Sequence, residues 1–289
     1  MRAALSTGAN FWNGGELYGT ATRNSLHLLH EYFSTYPEDA DKVVLSIKGG
    51  MIPGTLTPDG GETNVRRSVD ECVRILDGKK KIDVFECSRV DPKVPIEDTI
   101  KVLRELVQEG KIGGIGLSEV DADSIRRAAQ VFPIAAVEVE LSLWTTDVLR
   151  NRVASTCREL NVPVVAYSPL MRGALVGQFT SNAEIPEGDF RKSLPKFQDD
   201  VLAANLKLTQ EVEKLAHKKG VTQAQVAIGW VKSLSRRKRM PVIVPIPGAT
   251  TTARALENGR AVEMTEEEMQ ELQRILDENV IVGERYPSM

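Results

Sequence analysis

Short runs rich in β-branched residues recur along the chain at positions 9–13, 43–48, 82–88, 112–118, 134–140, 162–168 and 242–245. Apolar almost throughout, they have the pattern of strands buried on both faces of a parallel sheet, where no solvent side imposes alternation. The segments between them follow another rhythm. Val69, Cys72, Val73 and Leu76, and again Ile100, Leu103, Leu106 and Val107, fall at three- and four-residue steps, which align on one face of a helix. Strict alternation of the two patterns predicts seven strands separated by helices, each helix covering the sheet with its apolar face.

Two architectures carry such a pattern. An open dinucleotide-binding sheet needs a G-x-G-x-x-G turn opening a helix after an early strand. The nearest resemblance to that motif, Gly113-Gly114-Ile115-Gly116, instead leads into a strand. The expectation is therefore an α/β protein with a TIM-type (β/α)8 barrel, in which only seven barrel strands are recognisable. Polar or reactive residues sit at the strand ends: Asn13, Lys48, Ser88, Ser118, Glu138 with Glu140, and Tyr167 with Ser168. In a barrel those C-terminal ends gather on the face that carries the chemistry. The irregular stretch 171–200, rich in Gly, Pro, Ser and Asp, is expected to form a lid or pocket wall. Helices are predicted over 201–219 and 222–235. Thr265 followed by Glu268 is a capping box for a last helix reaching about Glu278. No linker or repeat longer than the βα unit interrupts the chain, so residues 1–289 read as one barrel domain.

Composition narrows the function. The 289 residues exceed the about 250 that an α/β barrel typically uses. The 37 Lys and Arg against 40 Asp and Glu leave a net charge of -3, which offers no field for nucleic acid or an anionic membrane. No apolar run is long enough to span a bilayer, so a small-molecule partner and a cytosolic location are expected. Cys72, Cys87 and Cys157 are odd in number and lack C-x-x-C spacing, the pattern of reduced thiols rather than of disulfides or zinc. His27 and His30 lie one helical turn apart without a completing ligand set, so no metal site is expected. The run Arg236-Arg237-Lys238-Arg239 reads as a solvated turn.

Several segments, in order along the chain, resemble the aldo-keto reductases, most nearly their fungal pyridoxal reductase branch. Phe11-Trp12-Asn13-Gly14-Gly15-Glu16-Leu17-Tyr18 is similar to the motif in which an Asp precedes the catalytic Tyr by five residues; Tyr18 matches the tyrosine and Asn13 stands in the Asp position. Lys48 matches the catalytic lysine. The segment 82–92 resembles the one that brings the catalytic His, with Ser88 in its place. Gly110-Lys111-Ile112 through Gly116-Leu117-Ser118-Glu119 and the position of Glu138 imply contacts to a nicotinamide carboxamide by Ser118 and Glu138. Tyr167-Ser168-Pro169-Leu170 resembles the segment that stacks an aromatic ring on the nicotinamide. Gly248, Arg254, Glu257 and Asn258 match the clamp for the adenosine end, with Arg254 toward a 2′-phosphate and Asn258 toward adenine. The resemblance implies NADPH as cofactor and a small carbonyl compound, pyridoxal among the candidates, as substrate.

The implied chemistry gives Tyr18 the role of general acid. An ammonium about 4 Å from a phenol, at an effective dielectric near 20, is worth about 4 kcal/mol or roughly three pKa units, which would carry Tyr18 toward neutrality. Asn13 has no charge, so Lys48 is expected to be less neutralised than an Asp-paired lysine and to act more strongly on Tyr18. Ser88 is too short to replace an imidazole directly. Because the strand-two motif starts at Gly8, the resemblance also implies that the family's initial hairpin and first barrel strand are absent before Met1. That leaves an alternative, a non-catalytic NADP(H)-binding or regulatory protein with an incomplete barrel.

Overall fold

The computed structural model describes residues 1–20, 22–260 and 262–287. Its strands are β1 (Phe11–Gly15), β2 (Val44–Gly49), β3 (Val84–Cys87), β4 (Ile115–Ser118), β5 (Ile134–Glu140), β6 (Val164–Tyr167) and β7 (Ile243–Pro245). They form one sheet in sequence order, and the pairs from β1 to β5 are parallel. The helices are α1 (Arg2–Ser6), α2 (Ser25–Thr35), α3 (Glu62–Leu76), α4 (Ile96–Gln108), α5 (Ala122–Val131), α6 (Val153–Glu159), α7 (Asp199–Lys219), α8 (Gln223–Leu234), α9 (Thr252–Gly259) and α10 (Glu266–Glu278). All seven expected strands are present. The first runs two residues further than its hydrophobic pattern, through Gly14 and Gly15, which places Asn13 in mid-strand opposite Ser46.

The glycines that read as a turn are strand residues because of their neighbours. A Cβ on Gly14 would lie 3.1 Å from side-chain atoms of Ile47, Leu29 and Ser25, closer than ordinary packing tolerates. Tertiary crowding thus selects glycine against its low strand propensity. Trp12, beside them, stacks on Phe33 and meets Tyr32 edge-on, at centroid distances of 5.8 and 5.1 Å.

The chain divides into two compact units. The first comprises Met1–Val139, Val148–Val165 and Lys238–Ile246. Its core is built from Leu45 and Ile47 of β2, Phe85 of β3, and Ile100, Leu103 and Leu106 of α4, all buried. The second comprises Glu140–Asp147, Ala166–Arg237 and Pro247–Met289, with Leu202, Leu208 and Val212 of α7, Val226 and Trp230 of α8, and Leu272 of α10 buried inside it. The stretch 171–200 is a chain of short 3-10 turns ending where α7 begins. Phe179 and Phe197 pack together at 5.4 Å there. Lys196, buried in the same stretch, donates to the Trp144 carbonyl at 2.9 Å and to Thr145 Oγ1 at 3.1 Å.

Among the described residues, side-chain caps open five of the ten α-helices. Asn24 caps α2 and receives a reciprocal contact from His27, which gives that histidine a structural role. Thr222 and Gln225 form the same reciprocal cap on α8. Arg236 and Arg237 pair with Glu263 and Glu266, and the three cysteines are free thiols. At α10, Thr265 Oγ1 accepts from Glu268 N at 3.2 Å while the Glu268 carboxylate accepts from Thr265 N at 2.8 Å. Thr265→Ala removes one of these caps and is expected to cost about 1 kcal/mol. A denaturant midpoint unchanged from wild type would contradict that accounting.

Candidate active site

One row of cross-strand neighbours runs over four strands: Gly15 of β1 opposite Lys48 of β2, Lys48 opposite Glu86 of β3, and Glu86 opposite Gly116 of β4. Residues in one row share a face of the sheet, so the two long ionisable side chains emerge side by side between two glycines. Each glycine makes room for something specific. A Cβ at Gly15 would stand 3.1 Å from Tyr18 Cδ2 and 3.2 Å from Lys48 Cβ; one at Gly116 would stand 3.2 Å from Glu86 Oε2.

The turn that carries Tyr18 is held from two sides. Glu16 N donates to the Lys48 carbonyl at 2.9 Å, and the Glu16 carboxylate takes Arg67 and Ser68 of α3, at 2.5 and 2.6 Å. From α2, Ser25 Oγ donates to the Gly15 carbonyl at 2.9 Å and accepts from Gly15 N at 2.8 Å. Ser25 N donates to the Tyr18 carbonyl at 2.9 Å. The tyrosine therefore follows β1 in a turn fixed to β2, α2 and α3.

Lys48 is 3% exposed, Glu86 1% and Glu138 2%. The Lys48 ammonium contacts Glu86 Oε1 at 3.0 Å and also Glu138 Oε1, and donates to Asn13 Oδ1 at 3.3 Å. Asn13 Nδ2 completes the ring by donating to Glu138 Oε2 at 2.8 Å. Burial alone would lower the pKa of this lysine, but the Glu86 and Glu138 carboxyls hold it above its ordinary value. This overturns the expectation drawn from Asn13. Carboxyl groups from Glu86 and Glu138 reach Lys48 where position 13 offers none, so the lysine does not stand unneutralised. Tyr18 lies above its ordinary value. Desolvation raises it most; Lys48 lowers it, Glu138 and Glu86 raise it again, and Arg89 lowers it. Tyr18 is partly exposed, yet the protein packed around its hydroxyl outweighs the lysine.

The remaining candidates in this unit divide clearly. Ser88, just past β3, is buried and its Oγ donates to the Gly49 carbonyl at 3.0 Å, a backbone bond that occupies its hydroxyl proton. Ser118, at the end of β4, is buried with its Oγ unpartnered among the described residues. A buried hydroxyl without a partner is costly, and it fits an absent amide group that can both accept and donate. Glu138, opposite Ser118 in the β4–β5 register, spends its carboxylate on Lys48 and Asn13.

In the second unit, Tyr167 ends β6 and its hydroxyl lies 3.0 Å from that of Tyr286. Arg172 donates to Tyr286 at 3.1 Å and pairs with fully buried Glu140 at 3.4 Å. Ser168 takes a left-handed conformation with φ 52, and its carbonyl accepts from Met171 N at 2.8 Å, turning the chain at Leu170. Arg254 lies exposed in the first turn of α9, behind the Thr251 cap. Glu257 follows one turn later, and Asn258 Nδ2 donates to the Gly248 carbonyl at 3.3 Å. Glu86, Arg172 and Tyr286 escaped the sequence reading. Glu86 had a signal: it is the acid inside Val84-Phe85-Glu86-Cys87, as anomalous in an apolar strand as Lys48 is in its own.

Comparison with known proteins identifies the family. The Aldo/keto reductase family profile matches residues 1–277. A Schizosaccharomyces pombe chain named "Probable pyridoxal reductase 2" is 42% identical over 99% of this chain and 87% of its own length. A Saccharomyces cerevisiae chain, also provisionally named a pyridoxal reductase, is 39% identical over 96% of this chain and 84% of its own. Among solved structures, the glycerol dehydrogenase of Gluconobacter oxydans superposes with a TM-score of 0.81 at 25% identity, covering 100% of this chain and 87% of that one. The chain belongs to the aldo/keto reductase family, a barrel-fold family of NAD(P)(H)-dependent oxidoreductases acting on small carbonyl compounds.

Proposed function

We propose that this protein reduces an aldehyde to an alcohol with NADPH, that pyridoxal is the candidate substrate, and that Tyr18 gives up the proton. The observation that carries the reading is the buried Lys48 ammonium opposite Gly15 in the sheet, with the Tyr18 ring packed against that glycine. When bound, the reduced nicotinamide supplies a hydride for the carbonyl carbon. Tyr18 supplies a proton to the oxygen, and Lys48 stabilises the phenolate left behind. A phenol held above its ordinary pKa is fully protonated at neutral pH, so the acid is loaded before reaction and the lysine matters as charge develops.

The other roles follow the residues' chemistry. Ser118 has an uncommitted buried hydroxyl suited to a carboxamide. Tyr167, Ser168 and Leu170 would line the nicotinamide ring, and Gly248, Glu257 and Asn258 the adenosine end. The exposed guanidinium of Arg254 suits a 2′-phosphate. Ser88 is committed to Gly49, so carbonyl orientation falls to Tyr18 itself. The provisional pyridoxal reductase names of the two yeast relatives support pyridoxal as the first aldehyde to try.

Tyr18→Phe is expected to lower single-turnover aldehyde reduction by about 10²- to 10⁴-fold. Cofactor affinity, followed by NADPH fluorescence, should stay within a few-fold of wild type. Wild-type turnover in that variant would remove Tyr18 from the reaction, whereas a wild-type protein that binds NADPH tightly but oxidises none across an aldehyde panel would favour a binding or regulatory role. Arg254→Ala should weaken NADPH about tenfold or more, the loss of a charged hydrogen bond, and leave NADH unchanged. Equal losses for both nucleotides would argue against the 2′-phosphate contact.

A further inference from the structure

Three ionisable side chains, each at most 3% exposed, meet around Lys48, and their charges do not balance. One ammonium faces two carboxyls, so with both ionised the cluster would bury a net negative charge. Such a charge costs several kcal/mol unless further donors or a proton offset it. The surroundings offer little. Asn13 is neutral, Gly116 brings no side chain, and the neighbouring Cys87 thiol is pushed up to about 12 by burial and stays neutral. Ser88 donates elsewhere. Arg89 donates to the Ser88 carbonyl at 2.6 Å and acts on Tyr18.

The donors are also unequally shared. Both oxygens of Glu138 receive N–H groups, one from Lys48 and one from Asn13. Glu86 Oε1 meets the ammonium at 3.0 Å without forming a hydrogen bond, and its Oε2 would stand 3.2 Å from a Cβ at Gly116. Glu138 has partners on both oxygens, and Glu86 is the one left short of donors. We infer that Glu86 and Glu138 hold one proton between them at neutral pH, carried by Glu86, and that this proton sets how strongly Lys48 acts on Tyr18. Burial indeed drives Glu86 well above the ordinary carboxylate range, with Lys48 opposing and the nearby Glu138 adding to the rise.

The inference rests on the assignment of Tyr18 and Lys48 and adds a positioning residue to them. With Glu86 neutral, the cluster is balanced and Lys48 has charge to offer a developing phenolate. When Glu86 loses its proton as pH rises, the cluster gains a negative charge, the phenolate is disfavoured, and carbonyl reduction slows. The proton goes from the Glu86 carboxyl to solvent, and no other bond changes.

Infrared spectroscopy of the full chain, without cofactor or substrate, tests the proton directly. Wild type at neutral pH should show the carbonyl band of a buried protonated carboxylic acid. Glu86→Gln should abolish it. Glu138→Gln should abolish it too, because Glu86 alone with Lys48 becomes an ordinary ion pair. No such band in wild type, or a band that survives either substitution, overturns the inference. Should Glu86→Gln fail to fold cooperatively, the wild-type and Glu138→Gln spectra still decide it. Coupling to Tyr18 is read in the pH profile of kcat, where the alkaline decline of wild type should move up by about one unit or more in Glu86→Gln; an unmoved decline refutes the coupling. Persistent turnover in Tyr18→Phe would instead remove the acid assignment and leave the infrared result standing, so the two failures are distinguishable.

Discussion

A single buried ammonium organises the middle of this sheet. Removing Lys48, Glu86 and Glu138 from water costs more than any one of their mutual attractions returns, so the group is tolerable only as a complete set. The completeness is architectural. Parallel register brings Lys48 and Glu86 into one row, while Glu138 arrives from β5, where the register puts it beside Ser118. Glycines at both ends of the row admit the Tyr18 ring on one side and the Glu86 carboxyl on the other. A shift of any one strand by a residue would turn its charged side chain to the opposite face.

The same set explains how an aldo-keto reductase site works with unusual residues. An asparagine in the Asp position keeps the hydrogen-bonding role and drops the charge. Carboxyl groups come instead from Glu86 and Glu138, both of which meet Lys48. Ser88, standing where an imidazole is implied, is turned back on the Gly49 carbonyl and helps fix the β2–β3 crossing instead. The uncommitted hydroxyl of Ser118 is another buried polar group without a partner among the described residues.

Outside the site, much of the fold is local chemistry repeated. Reciprocal caps at Asn24, Thr222 and Thr265 open α2, α8 and α10, and Asp121 opens α5 by accepting from two backbone amides. These supply donors and acceptors that helix ends would otherwise leave unsatisfied. The stretch 171–200 is ordered differently, through packed aromatics and buried Lys196, which is why it carries little periodicity.

The sequence by itself determined the alternation of seven strands with amphipathic helices and the cap of the last helix, and it singled out Tyr18 and Lys48 as candidates. Each is written in residues close along the chain: a period of apolar positions, a Thr and a Glu three apart, a tyrosine in a recognisable motif. Tertiary structure decided the rest. The first strand ended at Gly15, not Asn13, because glycine there answers to Leu29, Ile47 and Lys48, which the local pattern does not see. Lys48 turned out to meet two carboxyls because its partners come from β3 and β5, roughly 40 and 90 positions along the chain from it, and Tyr18 is raised chiefly by the protein packed around it. Electrostatic environment belongs to groups that meet only after the strands are in register, and no reading of one segment at a time can add up charges that the fold alone brings together.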